Sequence, residues 1–286
     1  MGVITKDTRK TFKIRFSGRS TDFISPSFGY GCLYNCSYCY MKRHKPKGLS
    51  VAVNTGDILT AVNNHAYFTP VEKPNQTHKE FTTYDISCNE DFALHAKHHN
   101  WKRVFEFFRD HPVAMASFAT KYVNPDLTSF DPEGKVRIRF SLMPQHKADL
   151  HEPNTSKIID RIKAIDTFIE AGYDVHVNYS PIIVYDGWLD DYAEVFDMMN
   201  DYVEYKDQVL AECIFLTHNF NKHIVNLQNH PKTEVDQWVA NKQEAKTSQY
   251  GGKNVRYKLG LKSEYIQEFI QLHNSKVPWN KIRYIF

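Results

Sequence analysis

"GCLYNCSYCY", residues Gly31–Tyr40, holds three of the chain's five cysteines. Cys32, Cys36 and Cys39 have the spacing C-x3-C-x2-C, and thiolates this close on a tight loop can converge on one metal centre. A tetrahedral zinc ion would need a fourth ligand, for which His44 and Cys88 are candidates. An iron–sulfur cube normally takes four cysteines, so three leave one iron open to a substrate or cofactor. The spacing therefore favours a reactive metal site over a purely structural one.

The composition indicates a globular protein with a packed core. The chain has 286 residues, of which 42% are hydrophobic and 24% charged, and this suits one large domain or a domain with an appendage. The net charge of +3 permits a polyanionic partner without requiring one. The N-terminal residues lack the apolar segment of a signal peptide, and no apolar run approaches the roughly 20 residues of a membrane span. We therefore expect a cytoplasmic protein, and in that reducing compartment clustered cysteines indicate a metal or catalysis rather than disulfides.

Predicted strands and helices alternate up to about residue 218. The clearest helix has Ile158, Ile162, Ile165 and Ile169 at helical spacing, with Gly172 as a stop. Strands separated by helices pair in parallel through right-handed crossovers, which predicts an α/β fold in the form of an incomplete βα barrel. Its site is expected at the carboxyl ends of the strands. The predicted strands cover 79–87, 113–120, 135–142, 173–184 and 211–219, and the other predicted helices cover 91–109 and 189–205.

The pattern changes beyond residue 218. The Gly-Gly turn in Gln249–Gly260 lies between polar and β-forming residues and predicts a hairpin. An amphipathic helix over Ser263–His273 and a last strand, "KIRYIF", end the chain. We expect a barrel over 1–218 and an appendage over 219–286.

Two polar segments keep alternative interpretations. Asp91, His95 and His99 have i, i+4, i+8 spacing on a predicted helix, which could form a metal-binding face, although solvated histidines are the preferred interpretation. The basic run Met41–Gly48 follows the cysteines directly and is either a solvated loop or a segment that lies along a phosphate backbone.

The cysteine triplet resembles the signature of the radical S-adenosylmethionine (SAM) enzymes. In that superfamily an aromatic residue commonly precedes the last cysteine, and Tyr38 takes that place. The resemblance implies a partial (βα)6-type TIM barrel and a 4Fe-4S cluster held by Cys32, Cys36 and Cys39. The open iron would bind SAM, whose cleavage gives a 5′-deoxyadenosyl radical that abstracts hydrogen.

Further blocks resemble the spore photoproduct lyase family. These blocks are "TKYV" (Thr120–Val123), "VRIRFSL" (Val136–Leu142), "AGYDVHVNYSPIIVYDGWLDDY" (Ala171–Tyr192) and the C-terminal "NKIRYIF". Together they cover 25–286 in pieces, with a weak stretch over 219–248. The resemblance implies an enzyme that reverses a thymine dimer in DNA, with a reductant such as flavodoxin or ferredoxin as a further partner.

The resemblance also implies roles for individual residues. In "DISCNED" (Asp85–Asp91), Cys88 matches the cysteine that donates hydrogen to the product radical; taken alone it would be a small buried hydrophobe. Tyr38 and Tyr40 match tyrosines that relay hydrogen between this cysteine and the cofactor. The residues expected to bind SAM are Lys121 and Ser141 at its methionyl group, Tyr38 and Ser180 near its adenosyl part, and Glu90 and Asp91 beside it.

The chain departs from the family pattern at several places. Its region before the cluster is short, and Glu90 stands where the family has a small hydroxyl residue. In the predicted hairpin Tyr250 matches a family tyrosine, but Gln249 replaces an arginine. Lys253, Arg256 and Lys258 are candidate phosphate contacts, with a solvated hairpin face as the alternative.

Three functions follow, in order of preference. The first is a radical SAM lyase of the spore photoproduct type, in which Cys88 returns hydrogen to the thymine methyl radical. The second is the same chemistry on a different modified nucleobase or nucleotide, suggested by Glu90 and the altered hairpin. The third is a zinc-stapled nucleic-acid-binding module without catalysis.

Overall fold

A computed structural model describes residues 3–39, 41, 48–68, 72–75, 77–247 and 251–286. The strands are β1 Ile4–Asp7, β2 Arg15–Phe16, β3 Phe23–Ile24, β4 Gly29–Cys32, β5 Gly48–Ala52, β6 Thr82–Asp85, β7 Ala114–Thr120, β8 Val136–Leu142, β9 Asp174–Ile182, β10 Leu210–Phe215, β11 Thr217–Asn219, β12 Gln243–Thr247, β13 Lys253–Tyr257 and β14 Ile282–Ile285. The α-helices of the described ranges are α1 Thr55–Phe68, α2 Phe92–His95, α3 Trp101–Asp110, α4 Gln145–His151, α5 Ile158–Glu170, α6 Trp188–Tyr202, α7 Phe220–Asn229, α8 Pro231–Gln237 and α9 Leu259–Lys276. No helix in these ranges is both long and apolar enough to cross a membrane.

The main sheet confirms the predicted partial barrel. Its eight strands lie in the order β14-β10-β9-β8-β7-β6-β3-β2, so the sheet is open, with β14 and β2 at its edges. All neighbouring pairs are parallel except β2 with β3. α-Helices lie between most successive parallel strands, as is usual for crossover connections, but β7 and β8 are joined through a 3₁₀ helix over Pro125–Ser129. The carboxyl ends of the strands therefore meet at one edge, where a site is expected.

The strongest helix prediction is confirmed. Helix α5 covers Ile158–Glu170, and Ile158, Ile162 and Ile165 are fully buried against the sheet. Gly172 has φ +88°, a conformation that glycine adopts without strain, and β9 starts two residues later.

The prediction of one continuous helix over 91–109 is wrong. Helix α2 ends at His95, a 3₁₀ turn covers Ala96–His98, and α3 starts at Trp101. The Asn100 side chain accepts a hydrogen bond from the Arg103 N–H and so caps a new helix start. Asp91, His95 and His99 therefore do not lie on one face of a single helix, despite their i, i+4, i+8 spacing.

A three-stranded sheet carries the cysteine loop. Strand β5 pairs in parallel with β1 and antiparallel with β4, which ends at Cys32. The sequence analysis did not predict this sheet, since β1 is exposed along its length and lacks an alternating apolar pattern.

The C-terminal region forms a small sheet and then returns to the barrel. Strands β12 and β13 pair antiparallel over 243–257, so the predicted hairpin exists but not with the bounds 249–260. The error arose because the chain enters α9 at Leu259 and the β-forming residues before the glycines belong to the first strand. The last strand, β14, pairs in parallel with β10. A domain boundary at residue 218 stays a prediction, but β14 belongs to the main sheet.

Gly48 gives a test of how β1 is held. Its φ is +101°, and a Cβ there would collide with the Val3 carbonyl oxygen, which accepts a hydrogen bond from Leu49 N–H. Gly134 also has a positive φ, +74°, but open space around it. We expect Gly134→Ala to lower the free energy of unfolding by about 1–2 kcal/mol through backbone strain, and Gly48→Ala to lower it further, because β1 must also shift. Urea unfolding of both variants measures this; equal losses would contradict the contact.

Candidate active site

One small cavity brings together most of the residues selected from the sequence. Its volume is about 170 Å³, and it lies at the carboxyl ends of β6 and β7. The residues that line it are Cys32, Tyr34, Cys36, Tyr38, Cys39, Met41, Ser87, Cys88, Glu90, Asp91, Ala119, Thr120 and Lys121. The cysteine triplet, Cys88 and Lys121 therefore line the same cavity, and their roles stay predictions.

Hydrogen bonds hold the cysteine loop in its turn. The Cys39 N–H donates to the Cys36 carbonyl at 3.1 Å. Ser37 N–H donates to the His151 carbonyl at 2.8 Å, and its hydroxyl lies 2.9 Å from His151 Nδ1. The loop thus rests on the end of α4 rather than projecting into solvent.

Burial makes the Cys32 and Cys36 thiols hard to ionise. Burial, assisted by the Asp91 charge, raises the pKa of Cys32 to about 12. Burial and then Glu152 raise the pKa of Cys36 as well. Thiolate ligands here would need a strongly cationic centre to stay ionised, and a coordinating metal deprotonates a thiol outright. Three soft sulfur donors in one dry cavity fit an iron–sulfur cluster.

Asp91 fixes the geometry between β6 and β7. Its carboxylate accepts hydrogen bonds from Leu94 N–H at 3.1 Å, from Thr120 Oγ1 at 2.7 Å and from Lys121 N–H at 2.9 Å. It therefore caps α2 and places Lys121 at the cavity. Direct contact between Asp91 and a cofactor stays a prediction.

Glu152 is a site residue that the sequence analysis missed. Its carboxylate is buried and accepts the Tyr38 hydroxyl, while Lys121 Nζ lies 3.8 Å away. Arg161 forms an ion pair with it at 2.9 Å, and both side chains are fully buried. Burial, then Glu152, raises the pKa of Tyr38 well above its usual value, so the phenol stays protonated. No motif marks Glu152 in the sequence; only its partners reveal it.

Lys121 and Ser141 lie within hydrogen-bonding distance of each other. Lys121 Nζ donates to Ser141 Oγ at 3.2 Å, and Arg161 donates to the Ser141 carbonyl at 2.7 Å. Ser180 is half-buried at the end of β9 and lies outside the cavity lining given above. Its contact with the adenosyl part stays a prediction.

The interpretation of His95 and His99 as solvated residues is wrong. His95 is fully buried and the His99 side chain is 3% exposed. Their rings lie 3.0 and 2.7 Å from one oxygen of Glu90, whose side chain is 1% exposed. His95 Nε2 also accepts the Leu33 N–H at 3.3 Å, so Nδ1 carries the ring proton and donates to Glu90.

The Glu90 carboxylate is held as an anion over Gly29. Burial opposes its charge, but His99 and His95 outweigh burial and lower the pKa of Glu90 to about 2. A Cβ on Gly29 would collide with this carboxylate, so glycine makes room for it. Direct contact of Glu90 with a cofactor stays a prediction.

Cys88 lies on the boundary between two spaces. It is at the tip of a turn in which Glu90 N–H donates to the Ser87 carbonyl at 3.2 Å. Asn89 ties this turn to the neighbouring strands, since its side chain donates to Ser27 Oγ and its carbonyl accepts from Gly31 N–H. Cys88 lines the cysteine cavity and also a wider groove of about 860 Å³.

Only some of the predicted DNA-contact residues lie within the described ranges. Tyr250 lies outside the described residues, as does Tyr40, the predicted hydrogen-relay residue. Lys253 and Lys258 are exposed, but Arg256 is half-buried and forms an ion pair with Glu244 at 2.8 Å.

An open parallel half barrel with a cysteine triplet at its carboxyl edge is the architecture of the radical SAM class. The family model for spore photoproduct lyase matches residues 3–286. The chain therefore belongs to the spore photoproduct lyase family.

The relatives support this assignment. The chain is 29% identical over 237 residues to the spore photoproduct lyase of Bacillus subtilis (strain 168), in an alignment that covers 80% of this chain and 66% of that protein. It is 26% identical over 310 residues to the spore photoproduct lyase of Clostridium acetobutylicum, in an alignment that covers 99% of this chain and 87% of that protein. The chain thus spans slightly less than two thirds of the Bacillus relative.

Solved structures confirm the fold. A cysteine-to-alanine variant of spore photoproduct lyase with dinucleoside spore photoproduct superimposes with a TM-score of 0.87 at 24% identity, covering 99% of this chain and 82% of that one. A second variant, with bound AdoMet (SAM) and the same dinucleoside, has a TM-score of 0.86 at 23% identity, with the same coverage.

The packing of Glu90 over Gly29 can be tested by a double-mutant cycle. Gly29→Ala should destabilise the protein, because its methyl group displaces the carboxylate from its histidines. In a Glu90→Ala background the same change should cost less, which gives a coupling free energy of about 0.5–3 kcal/mol. Urea unfolding of the four proteins measures the coupling. Additive losses would show that the two residues do not interact.

Proposed function

We propose that this protein is a radical SAM lyase that converts spore photoproduct, a methylene-bridged thymine dimer in DNA, back to two thymines. The observation that carries the proposal is the position of Cys88, between the cavity of the three cysteines and an open groove. A hydrogen donor for a substrate radical must be near the cofactor and also accessible to a large substrate. Family membership and the relatives that share the name support the same chemistry.

The residues present fit the cofactors of this class. Cys32, Cys36 and Cys39 would hold a 4Fe-4S cluster, and the iron without a protein ligand would accept SAM. When bound, the reduced cluster and SAM supply the one-electron chemistry that removes a hydrogen atom from the substrate. The cavity beside these cysteines is small, about 170 Å³, and so leaves little room for water next to that chemistry.

Lys121 and Ser141 would bind the carboxylate of SAM. An ammonium and a hydroxyl 3.2 Å apart offer the donors that a carboxylate requires. Glu152 is 3.8 Å from Lys121 and holds the ammonium in place. In this proposal Tyr38 and Ser180 lie toward the adenosyl part.

Cys88 acts after the methylene bridge has broken. Its S–H bond breaks and a new C–H bond forms on the thymine methyl radical, which leaves a thiyl radical on Cys88. One hydrogen atom must then return to the sulfur before the next turnover. We assign this return to Tyr38 and Tyr40, which would give a hydrogen atom to the sulfur and regain one from 5′-deoxyadenosine, and the Tyr38 hydroxyl is held by Glu152.

DNA is the substrate-bearing partner in this proposal, with the lesion flipped out of the base stack. A reductant such as flavodoxin or ferredoxin supplies the electron, and the predicted cytoplasmic location suits both partners. The alternative of a different modified nucleobase was suggested by the charge of Glu90. That carboxylate is bound by two histidines, which weakens the alternative. The zinc-stapled module gains no support, since the cysteine loop belongs to a half barrel of this family.

The first test is an anaerobic reaction with cluster-loaded protein, dithionite, SAM and an oligonucleotide that carries spore photoproduct. Mass spectrometry should find repaired thymine. 5′-Deoxyadenosine without repair would leave a radical SAM enzyme with another substrate, and would contradict the proposed substrate.

Cys88→Ala should separate SAM cleavage from repair. We expect the variant to cleave SAM and to consume the lesion, while thymine becomes a minor product, because the product radical lacks its hydrogen donor. Product analysis by mass spectrometry measures the ratio. The matched control is Cys213→Ala, which removes a fully buried thiol on β10 outside the cavity lining and should keep clean repair. An unchanged thymine yield in Cys88→Ala would remove Cys88 from the mechanism.

A further inference from the structure

The wider groove beside the cysteine cavity is built largely by the N-terminal segment. Its volume of about 860 Å³ falls within the roughly 300–1,000 Å³ of ligand pockets. The residues that line it are Thr8, Arg9, Lys10, Thr11, Lys13, Arg15, Ser25, Pro26, Ser27, Tyr30, Cys88 and Asn89.

The groove is strongly cationic. Arg9, Lys10, Lys13 and Arg15 contribute to the lining, and no aspartate or glutamate does so among the described residues. Lys10, Lys13 and Arg15 are exposed, and within the described ranges they form no ion pair. Their charges are therefore available to an anionic ligand.

The segment that carries these charges is fixed at both ends. Arg9 exchanges hydrogen bonds with the Asn54 side chain, its N–H donating at 2.8 Å and its carbonyl accepting at 3.0 Å. The Arg9 guanidinium donates to the Ser27 carbonyl at 3.1 Å and to Ser50 Oγ at 3.0 Å. At the other end, β2 pairs with β3 through Arg15 and Phe16. A cationic segment held in this way loses little conformational freedom when a ligand binds.

We propose that this groove is the DNA-backbone site, in which Lys10, Lys13 and Arg15 bind phosphates of the strand that carries the lesion. The proposal rests on the proposed function and adds the surface that presents the substrate. A base that reaches Cys88 from the groove brings its own flanking phosphates into the same cationic space. An unbranched polyanion is the ligand that a row of unpaired cations selects.

The hairpin is the weaker location for these contacts. Arg256, one of its three candidate cations, is already neutralised by Glu244. In the groove, in contrast, cations that form no ion pair within the described ranges line the same space as Cys88, the side chain that would act on the lesion.

The test is a DNA-binding experiment with the cluster-loaded protein. Fluorescence anisotropy of a fluorescein-labelled oligonucleotide measures the binding at several salt concentrations. The groove variant is Lys10→Gln/Lys13→Gln/Arg15→Gln. The slope of log K against log salt is negative, and each lost phosphate contact should reduce its magnitude by about 0.7–0.9. The slope of the groove variant should therefore be less steep by about 2–3, and the variant should bind more weakly.

Two variants control for net charge and for the hairpin. Lys97→Gln/Lys102→Gln/Lys163→Gln removes the same charge from exposed residues outside the groove and should keep the wild-type slope. Lys253→Gln/Lys258→Gln tests the hairpin. A groove variant with the wild-type slope would overturn the proposal, as would an equal loss in the Lys97/Lys102/Lys163 variant or a loss confined to the hairpin variant.

Repair by the wild-type enzyme is measured separately, so the two proposals can fail independently. If the wild type repairs no lesion but the groove variant loses its salt-dependent binding, the lesion chemistry is wrong and the groove stands. If the wild type repairs the lesion and the groove variant binds DNA as the wild type does, the groove proposal alone fails.

Discussion

The buried carboxylate of Glu152 is the interaction on which the site depends. A buried charge without partners is very unfavourable, so Glu152 can be accommodated only with Arg161, Lys121 and the Tyr38 hydroxyl around it. These partners come from α5, from the residue after β7 and from the cysteine loop. One carboxylate therefore links the barrel to the loop, and a loop in another position would lose the hydrogen bond from the Tyr38 hydroxyl, although Arg161 would still pair with Glu152.

The site divides into two environments with opposite requirements. The cysteine cavity is small and buried, which suits chemistry that water would quench. The groove is open and cationic, which suits a long anionic substrate. Cys88 belongs to both, and the turn around it is held by Asn89 and Ser27. In the proposed function, a single thiol thus faces both the cofactor cavity and the groove for a large substrate.

Several neighbouring residues together accommodate the Glu90 carboxylate. Gly29 leaves room for the carboxylate, and His95 and His99 hold it. His95 also accepts the Leu33 N–H, so the same ring that holds Glu90 supports the residue after Cys32. The Glu90 carboxylate is thus part of the framework of the cysteine loop.

Local patterns were sufficient for the barrel and for recognising the cysteine triplet. The isoleucine spacing of α5, the buried strands and the C-x3-C-x2-C motif are each encoded within a few residues, and such signals survive without knowledge of the fold. Long-range pairing was not accessible in this way. Glu152, the two buried histidines and the cations of residues 8–15 acquire their roles only from partners distant in the chain, and the break after His95 depends on a cap at Asn100. The sequence by itself determined the fold class and the thiol chemistry, whereas the tertiary structure decided which charges are neutralised and which are left for a ligand, because burial and pairing are properties of the folded chain.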